Sequence, residues 1–237
     1  MRTPERQRGR LIAICGIDGS GKTTQTALLA ERARAEEFSV EQVSFPRYGE
    51  GFFAELIERY LRGEFAASAA EVSPYLASLP YACDRWEAAP RLREWLAAGH
   101  LVLCNRYVSA NLAHQGSKVP PGEQQGAFFE WVERLEYGVF ALPRPDLHVL
   151  LDMDPVHAAD LLTRRSRPSG PSREQDIHER DMGHLEGTAR TYRELARRAS
   201  EQWAVIPCAE GGSVRPPARI AEAVWAAVSQ VLYNDTT

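Results

Sequence analysis

An eight-residue stretch, GIDGSGKT at 16–23, constrains the fold of this chain more than any other part of its sequence. It fits the pattern G-x-x-x-x-G-K-T, follows the apolar run RLIAIC at 10–15 and opens a helical pattern at about 22–37. In this setting, glycines let successive backbone N–H groups converge on an anion, and the start of the helix adds partial positive charge. The stretch therefore predicts a strand, a phosphate-binding loop and a helix in direct succession.

The residue types of this loop predict how it contacts a nucleoside triphosphate. Lys22 is one of only two lysines among the 28 basic residues, and its compact ammonium group suits a tight phosphate cradle better than a planar guanidinium does. Thr23 is placed to hold Mg²⁺ through its hydroxyl group. The alternative, a chance glycine-rich turn, leaves the order of strand, loop and helix unexplained. The predicted ATP-binding residues are Gly16, Gly19, Ser20, Gly21, Lys22, Thr23 and Thr24, with Lys22 also catalytic.

Apolar runs elsewhere in the chain predict the rest of a sheet. Candidate strands lie at 10–15, 40–45, 101–104, 147–151 and 203–206, and helical patterns lie at about 22–37, 51–62, 73–98, 123–141, 155–165, 176–200 and 214–232. Strands separated by helices form a parallel sheet covered on both faces, with ligands at the carboxyl ends of the strands. We therefore predict an α/β fold of the three-layer P-loop NTPase type, with a five-stranded parallel sheet and a short mobile lid. It forms one domain over 1–237, in which 1–9 is a frayed tail.

Composition narrows the possible functions and location. A formal net charge of −4 argues against a general nucleic-acid surface, which needs an excess of Lys and Arg. The first apolar stretch breaks at Asp18, too early for a signal sequence or a membrane span. The cysteines at 15, 83, 104 and 208 show no C-x-x-C spacing, which favours buried free thiols in a reducing cytoplasm. These features predict a cytoplasmic protein without a nucleic-acid or membrane partner.

Several further motifs resemble those of the thymidylate kinase family. With GIDGSGKTTQ, they are FPRYG at 45–49, DRWE at 84–87, NRYVSANLAHQGSK at 105–118 and LDMDP at 151–155, in the family's order and at compatible spacing. The resemblance covers about residues 10–200. It implies a nucleoside monophosphate kinase that transfers the γ-phosphoryl group of ATP to dTMP, giving dTDP and ADP in dTTP biosynthesis. It also implies Mg²⁺ as cofactor and a homodimer packed through helices.

The resemblance assigns residues to the sugar and phosphate of the acceptor. Asp18 would accept a hydrogen bond from the 3′-hydroxyl group, and His114 would line the sugar. Arg47, stiffened by Pro46, would grip the acceptor phosphate with paired hydrogen bonds. Arg106 would bridge the donor and acceptor phosphates and stabilise the charge of the transferring group. The alternatives are a loop-capping Asp18, a surface Arg47 and a structural His114.

The resemblance also assigns residues to the base. Tyr81 and Arg85 are four residues apart and share one helical face; Tyr81 would stack on thymine and Arg85 would donate to its O4 atom. Cytosine carries an amino donor at that position and would leave Arg85 unpaired. Asn111 would read the N3 and O4 edge, since an amide offers both donor and acceptor. The implied dTMP-binding residues are Asp18, Phe45, Arg47, Tyr81, Arg85, Arg106, Asn111 and His114.

Asn105 departs from the family pattern, in which an Asp precedes the Arg and helps to hold Mg²⁺ through water. An amide accepts hydrogen bonds but brings no negative charge. Either another carboxylate compensates, with Asp18 and Glu179 as candidates, or Thr23 and the nucleotide hold most of the metal. Asn105 also leaves open the alternative that this chain is a catalytically inactive nucleotide-binding relative. The second alternative is another nucleoside or nucleotide kinase of the same fold.

A lid loop is predicted at 164–176, where the sequence is rich in Arg, Ser and Pro. Such a loop can close over phosphates and exclude water. Some relatives carry a catalytic arginine in the phosphate-binding loop, where this chain has Gly19. The transition-state cation is therefore expected from Arg165, Arg167 or Arg173. A solvated basic linker is the alternative for any one of these arginines.

Overall fold

Five parallel strands form the central sheet of the computed structural model, which describes residues 8–65, 72–165 and 182–233. The strands are β1 (Arg10–Cys15), β2 (Val40–Ser44), β3 (Leu101–Asn105), β4 (Leu147–Asp152) and β5 (Trp203–Pro207). Their order is β2-β3-β1-β4-β5, and every pairing is parallel. The three inner strands are buried almost throughout because helices cover both faces, which explains their continuous apolar runs.

Eight α-helices surround the sheet in the described ranges. They are α1 (Lys22–Ala35), α2 (Phe52–Leu61), α3 (Pro74–Ala97), α4 (Val108–Gly116), α5 (Glu123–Glu133), α6 (Pro155–Arg165), α7 (Met182–Arg198) and α8 (Pro217–Tyr233). A π-helical turn, Arg134–Val139, continues α5, and a 3₁₀ turn, Ser200–Gln202, precedes β5. A short antiparallel hairpin, β6 (Ala209–Glu210) and β7 (Ser213–Val214), follows β5. Helices α1 and α8 pack together on one face, whereas α4 packs against α3, α5 and α7 on the other face.

The register brings three loops to one edge of the sheet. Ile14 of β1 and Ser44 of β2 are both paired with Asn105 at the end of β3. The segments that follow these three strands therefore leave the sheet side by side. This edge is where ligands of parallel sheets bind.

The five-stranded parallel sheet with helices on both faces confirms the predicted fold class, but one helix was missed. Helix α4 shows no polar face in the sequence because eight of its nine residues are buried. An amphipathic period of 3.6 residues requires a solvated face, so a helix buried all round gives no such signal. The predicted helix at 123–141 is α5 followed by the π-helical turn.

The cysteines match the prediction of free thiols. All four, which lie in the described ranges, are unpaired; Cys15, Cys104 and Cys208 are buried and Cys83 is half-buried. Burial raises the pKa of Cys15 and Cys208 to about 12, so both thiols are protonated at neutral pH. None of the helices in the described ranges is both long and apolar enough to cross a membrane.

Candidate active site

The glycine-rich loop between β1 and α1 has the backbone that an anion cradle requires. Gly16, Gly19 and Gly21 have φ angles of 141°, 81° and 88°, a region that disfavours residues with a Cβ atom. A Cβ atom at Gly19 would lie 2.4 Å from the carbonyl oxygen of Ala158 in α6. Within the described ranges no side chain caps the N-terminus of α1, so its first N–H groups are left for a ligand.

Side chains of the loop lie in or beside the same cradle. Lys22 is buried, and its Nζ atom donates to the Ile17 carbonyl oxygen at 2.8 Å and lies 3.8 Å from Asp18 Oδ1. The Oγ atom of Ser20 is buried without a hydrogen-bond partner among the described residues. The following Thr23 is exposed, and its Oγ1 atom accepts a hydrogen bond from Asn105 Nδ2 at 3.3 Å. The loop thus presents an ammonium group and two hydroxyl groups near the end of β3.

The end of β3 has an unusual backbone conformation. Arg106 has a φ angle of 66°, in the left-handed region that a branched or long side chain rarely adopts. Its backbone N–H donates to the Ile14 carbonyl oxygen at 3.0 Å, which ties the turn to β1. Such conformations are kept where the surrounding structure holds a residue in a required position. Tyr107, in contrast, is fully buried and donates to the Pro143 carbonyl oxygen at 2.9 Å, so it belongs to the core rather than to a phosphate site.

Arg106 connects the glycine-rich loop to the helical face of the cleft. One end of its guanidinium is paired with Asp18, and its Nη1 atom lies 3.0 Å from His114 Nε2. Since a guanidinium can only donate, His114 accepts at Nε2 and carries its proton at Nδ1. That nitrogen lies 3.3 Å from His184 Nε2 in α7. A chain of polar contacts thus runs from the loop to α7 through Arg106.

Arg47 lies after β2, where the Phe45–Pro46 peptide bond is cis. Two carboxylates hold its guanidinium: Nε donates to Asp84 Oδ1 and Nη2 donates to Glu87 Oε2, both at 2.9 Å. Burial raises the pKa of Asp84 even though Arg47 opposes that effect. Arg47 therefore has a fixed orientation before any ligand binds.

A cleft opens between these elements on the helix-rich side of the β3 end. It holds about 520 Å³ of free space, a volume that includes its open mouth. Its lining includes Asp18, Phe45, Tyr81, Arg85, Arg106, Asn111 and His114. Seven of the eight predicted acceptor-site residues therefore line one cleft, and Arg47 lies beside the lining residue Pro46.

The deep end of the cleft is polar and fully buried. Arg85 is 2% exposed, and its Nε and Nη2 atoms donate to Glu136 at 2.5 and 2.7 Å. Burial alone lowers the pKa of this guanidinium, but the attraction of Glu136 raises it above its ordinary value. Asn111 donates from Nδ2 to the same carboxylate at 2.9 Å. A charged, hydrogen-bonded cluster thus closes this end.

Comparison with known proteins identifies the family. The thymidylate kinase family model matches residues 14–211. The thymidylate kinase of Mycobacterium tuberculosis (strain H37Rv) is 34% identical over 200 residues, which is 83% of this chain and 90% of that protein. The thymidylate kinase of Thermomicrobium roseum is 32% identical over 221 residues, 93% of this chain and 95% of that protein. The chain belongs to the thymidylate kinase family. It is therefore a nucleoside monophosphate kinase, an enzyme of the transferase class.

A solved thymidylate kinase structure from Candida albicans supports the fold. It aligns with a TM-score of 0.68 over 94% of this chain and 92% of that chain, at 20% sequence identity. The match extends over the sheet and the helices on both faces. The fold class and the family predicted from the motifs are both confirmed.

The predicted lid lies mostly outside the described residues. Arg167, Arg173 and Glu179 are in 166–181, so their predicted roles stay predictions. Arg165 is described only as the last residue of α6. The described part of the predicted lid, 164–165, is therefore helical.

Four residues of the site were not found from the sequence, namely Asp84, Glu87, Glu136 and His184. Glu87 holds the Arg47 guanidinium together with Asp84. Asp84 orients Arg47, Glu136 pairs with Arg85, and His184 contacts His114. Asp84 stands next to Arg85 in the family motif, so its position was a usable signal. Glu136 and His184 lie in helical patterns with many charged residues, where one buried acid or imidazole gives no local signal.

Proposed function

We propose that this thymidylate kinase family member transfers the γ-phosphoryl group of ATP to dTMP, giving dTDP and ADP. The observation that carries the proposal is the position of Arg106, which contacts Asp18 of the glycine-rich loop and lines the cleft that ends at Arg85 and Asn111. ATP phosphates on the loop and a pyrimidine nucleotide in the cleft would meet at this guanidinium. Its strained backbone supports a functional reason for that placement.

Binding of ATP is assigned to the loop and the start of α1. The residues are Gly16, Gly19, Ser20, Gly21, Lys22, Thr23 and Thr24. The start of α1 and the Ser20 Oγ atom, neither of which has a side-chain partner among the described residues, supply hydrogen-bond donors for phosphate oxygens. Lys22 adds a positive charge at the same place, which favours the β- and γ-phosphates.

Binding of dTMP is assigned to the cleft. Tyr81 would stack on the base, and Asp18 and His114 would contact the sugar. Arg47 would bind the acceptor phosphate; Asp84 and Glu87 already orient its guanidinium, so less side-chain entropy is lost on binding. The acceptor phosphate is itself an anion, so the reaction needs positioning and charge neutralisation rather than a nucleophilic side chain.

The residues near the β3 end fit Mg²⁺ held mainly by the nucleotide. The Thr23 hydroxyl group is exposed beside Asn105, whose Oδ1 atom is buried without a partner among the described residues. Thr23 would hold the ion, and Asn105 or Asp18 would accept hydrogen bonds from its water. When bound, Mg²⁺ neutralises charge on the β- and γ-phosphate oxygens. The predicted contribution of Glu179 lies outside the described residues.

The proposal also covers the lid, the assembly and the location of the enzyme. A guanidinium from Arg165, Arg167 or Arg173 would complete the charge around the transferring group. The enzyme would act in the cytoplasm, which the four free cysteines support. It would form a homodimer, and sedimentation velocity at micromolar concentration would measure that assembly.

The test of the function is ADP formation from ATP and Mg²⁺ with dTMP, compared with dUMP, dCMP, UMP and thymidine. A preference for dTMP is expected because Arg85 and Asn111 line the base end of the cleft. Preference for another acceptor would make the chain a kinase with a different substrate. No ADP formation with any acceptor, despite ATP binding, would assign it to an inactive nucleotide-binding branch.

A further inference from the structure

Glu136 is a buried carboxylate for which the proposed reaction has no direct use. It lies in the π-helical turn after α5 and is 0% exposed, a costly position for a negative charge. Its Oε2 and Oε1 atoms accept hydrogen bonds from Arg85 Nε and Nη2 at 2.5 and 2.7 Å. The paired geometry fixes the plane of the guanidinium, which lines the cleft.

Glu136 also fixes the orientation of the Asn111 amide group. Asn111 Nδ2 donates to Glu136 Oε1 at 2.9 Å and to the Ser78 carbonyl oxygen at 3.1 Å. Both partners are acceptors, so a flipped amide would set its own oxygen against two oxygens. The remaining polar atom, Asn111 Oδ1, is buried without a hydrogen-bond partner among the described residues. Since Asn111 lines the cleft, the amide presents an acceptor to a ligand.

The fixed orientations of the Arg85 guanidinium and the Asn111 amide select between pyrimidine bases. Thymine and uracil carry a donor at N3 and an acceptor at O4, whereas cytosine carries an acceptor at N3 and a donor at its 4-amino group. A site with the Arg85 donor and an Asn111 acceptor matches the first pattern. An Asn111 amide that could rotate by 180° would offer its N–H₂ group to the cytosine N3 atom instead. A buried group left unpaired by the wrong base lowers its affinity strongly.

We infer that Glu136 is the positioning residue for base selection, because it holds Arg85 as donor and Asn111 as acceptor and prevents the amide rotation that cytosine requires. This inference rests on the proposed function, namely that the cleft takes a pyrimidine nucleotide. The three side chains come from α3, α4 and the π-helical turn, so the cluster forms only in the folded chain.

The test compares the wild-type enzyme with Glu136→Gln, measuring kcat and KM for dTMP and for dCMP. The glutamine side chain is similar in size, but its amide offers one acceptor and one donor group in place of two acceptor oxygens. We expect the ratio of kcat/KM for dTMP to that for dCMP to fall at least tenfold, mainly through KM for dTMP. The KM for ATP should change less than twofold. The matched control is Glu133→Gln, an exposed glutamate on the preceding turn, which should keep the wild-type ratio.

An unchanged ratio in folded Glu136→Gln enzyme would overturn the inference, because a purely structural role would lower both activities alike. If that variant does not fold, Glu136→Asp is measured instead. It keeps the charge opposite Arg85, but its side chain is shorter. A wild-type ratio in Glu136→Asp would likewise overturn the inference. If neither folds, NMR on the wild-type enzyme decides. Both Asn111 Nδ2 protons should exchange slowly with dTMP bound, and exchange at the solvent rate would overturn the inference.

Calorimetric binding of dTMP and dCMP separates this inference from the proposed function. Wild-type enzyme that binds dTMP in preference to dCMP but forms no ADP would refute the proposed reaction, and the Glu136→Gln ratio could still be measured by binding. Active wild-type enzyme with an unchanged ratio in the variant would refute the role of Glu136 alone.

Discussion

At the scale of single residues, Arg106 combines a strained backbone with contacts to both halves of the site. Its φ angle of 66° places the guanidinium between Asp18 and His114. We expect Arg106→Ala to lower kcat at least tenfold, because a cation at this point is most useful when negative charge spreads over the transferring group. Steady-state kinetics with dTMP would measure the change, and circular dichroism would verify the fold. Wild-type turnover in a folded Arg106→Ala variant would refute the role. The control is Arg219→Ala, which replaces an exposed arginine.

Asn105 gives a second prediction at this scale. The amide donates to Thr23 Oγ1 at 3.3 Å and brings no charge to the place where Mg²⁺ is proposed. We expect Asn105→Asp to lower the Mg²⁺ concentration for half-maximal activity several-fold, because a carboxylate attracts the ion and its water. A Mg²⁺ titration of ADP formation would measure this value. An unchanged or higher value would mean that the site is already satisfied by the nucleotide and Thr23.

At the scale of elements, the glycine-rich loop packs directly on α6. A Cβ atom at Gly19 would lie 2.4 Å from the Ala158 carbonyl oxygen, and its φ angle of 81° disfavours any other residue. We expect Gly19→Ala to displace the loop and raise the KM for ATP at least tenfold. Kinetics and thermal unfolding would measure the effect.

The matched control is Gly126→Ala in α5, where an added Cβ atom would meet no atom within 4 Å. It should stabilise the enzyme by about 0.5–1 kcal/mol, because alanine lowers the entropy of the unfolded chain. Its kinetics should be unchanged. Equal KM values for ATP in the wild type and Gly19→Ala would show that the loop tolerates the displacement.

The elements also show how far the sequence could predict this site. The five strands and the glycine-rich loop carry local signals, namely apolar runs and a spaced motif. Helix α4 carries none because it is buried all round. The link from Arg85 to Glu136 joins residues 51 positions apart, so it is visible only when α3 and the π-helical turn are packed together. Residue types in the cleft could therefore be predicted, but their hydrogen-bond partners could not.

At the scale of the whole molecule, one buried histidine couples folding to pH. His148 lies in β4, its ring stacks on Trp203 at 4.5 Å between centroids, and Nδ1 lies 3.9 Å from the buried Cys15 sulfur. No charged partner compensates the imidazolium among these contacts. Burial lowers the pKa of His148 from 6.5 to about 4, because the charged form loses its hydration.

The sign of the resulting pH dependence follows from proton uptake. As the pH falls below 6.5 the unfolded chain protonates His148, whereas the native chain does so only near pH 4. The stabilising contribution is therefore complete above pH 6.5 and is lost between pH 6.5 and 4. From pH 7 to pH 5, this single group should lower the free energy of unfolding by about 2 kcal/mol.

Other groups titrate in the same window, so a variant must isolate the effect of His148. His148→Phe keeps an aromatic ring against Trp203 and removes the titration. Urea unfolding at both pH values should show a loss about 2 kcal/mol larger in the wild type than in His148→Phe. Equal losses would mean that the native state accepts the proton on His148 without cost, for example through water that reaches the ring.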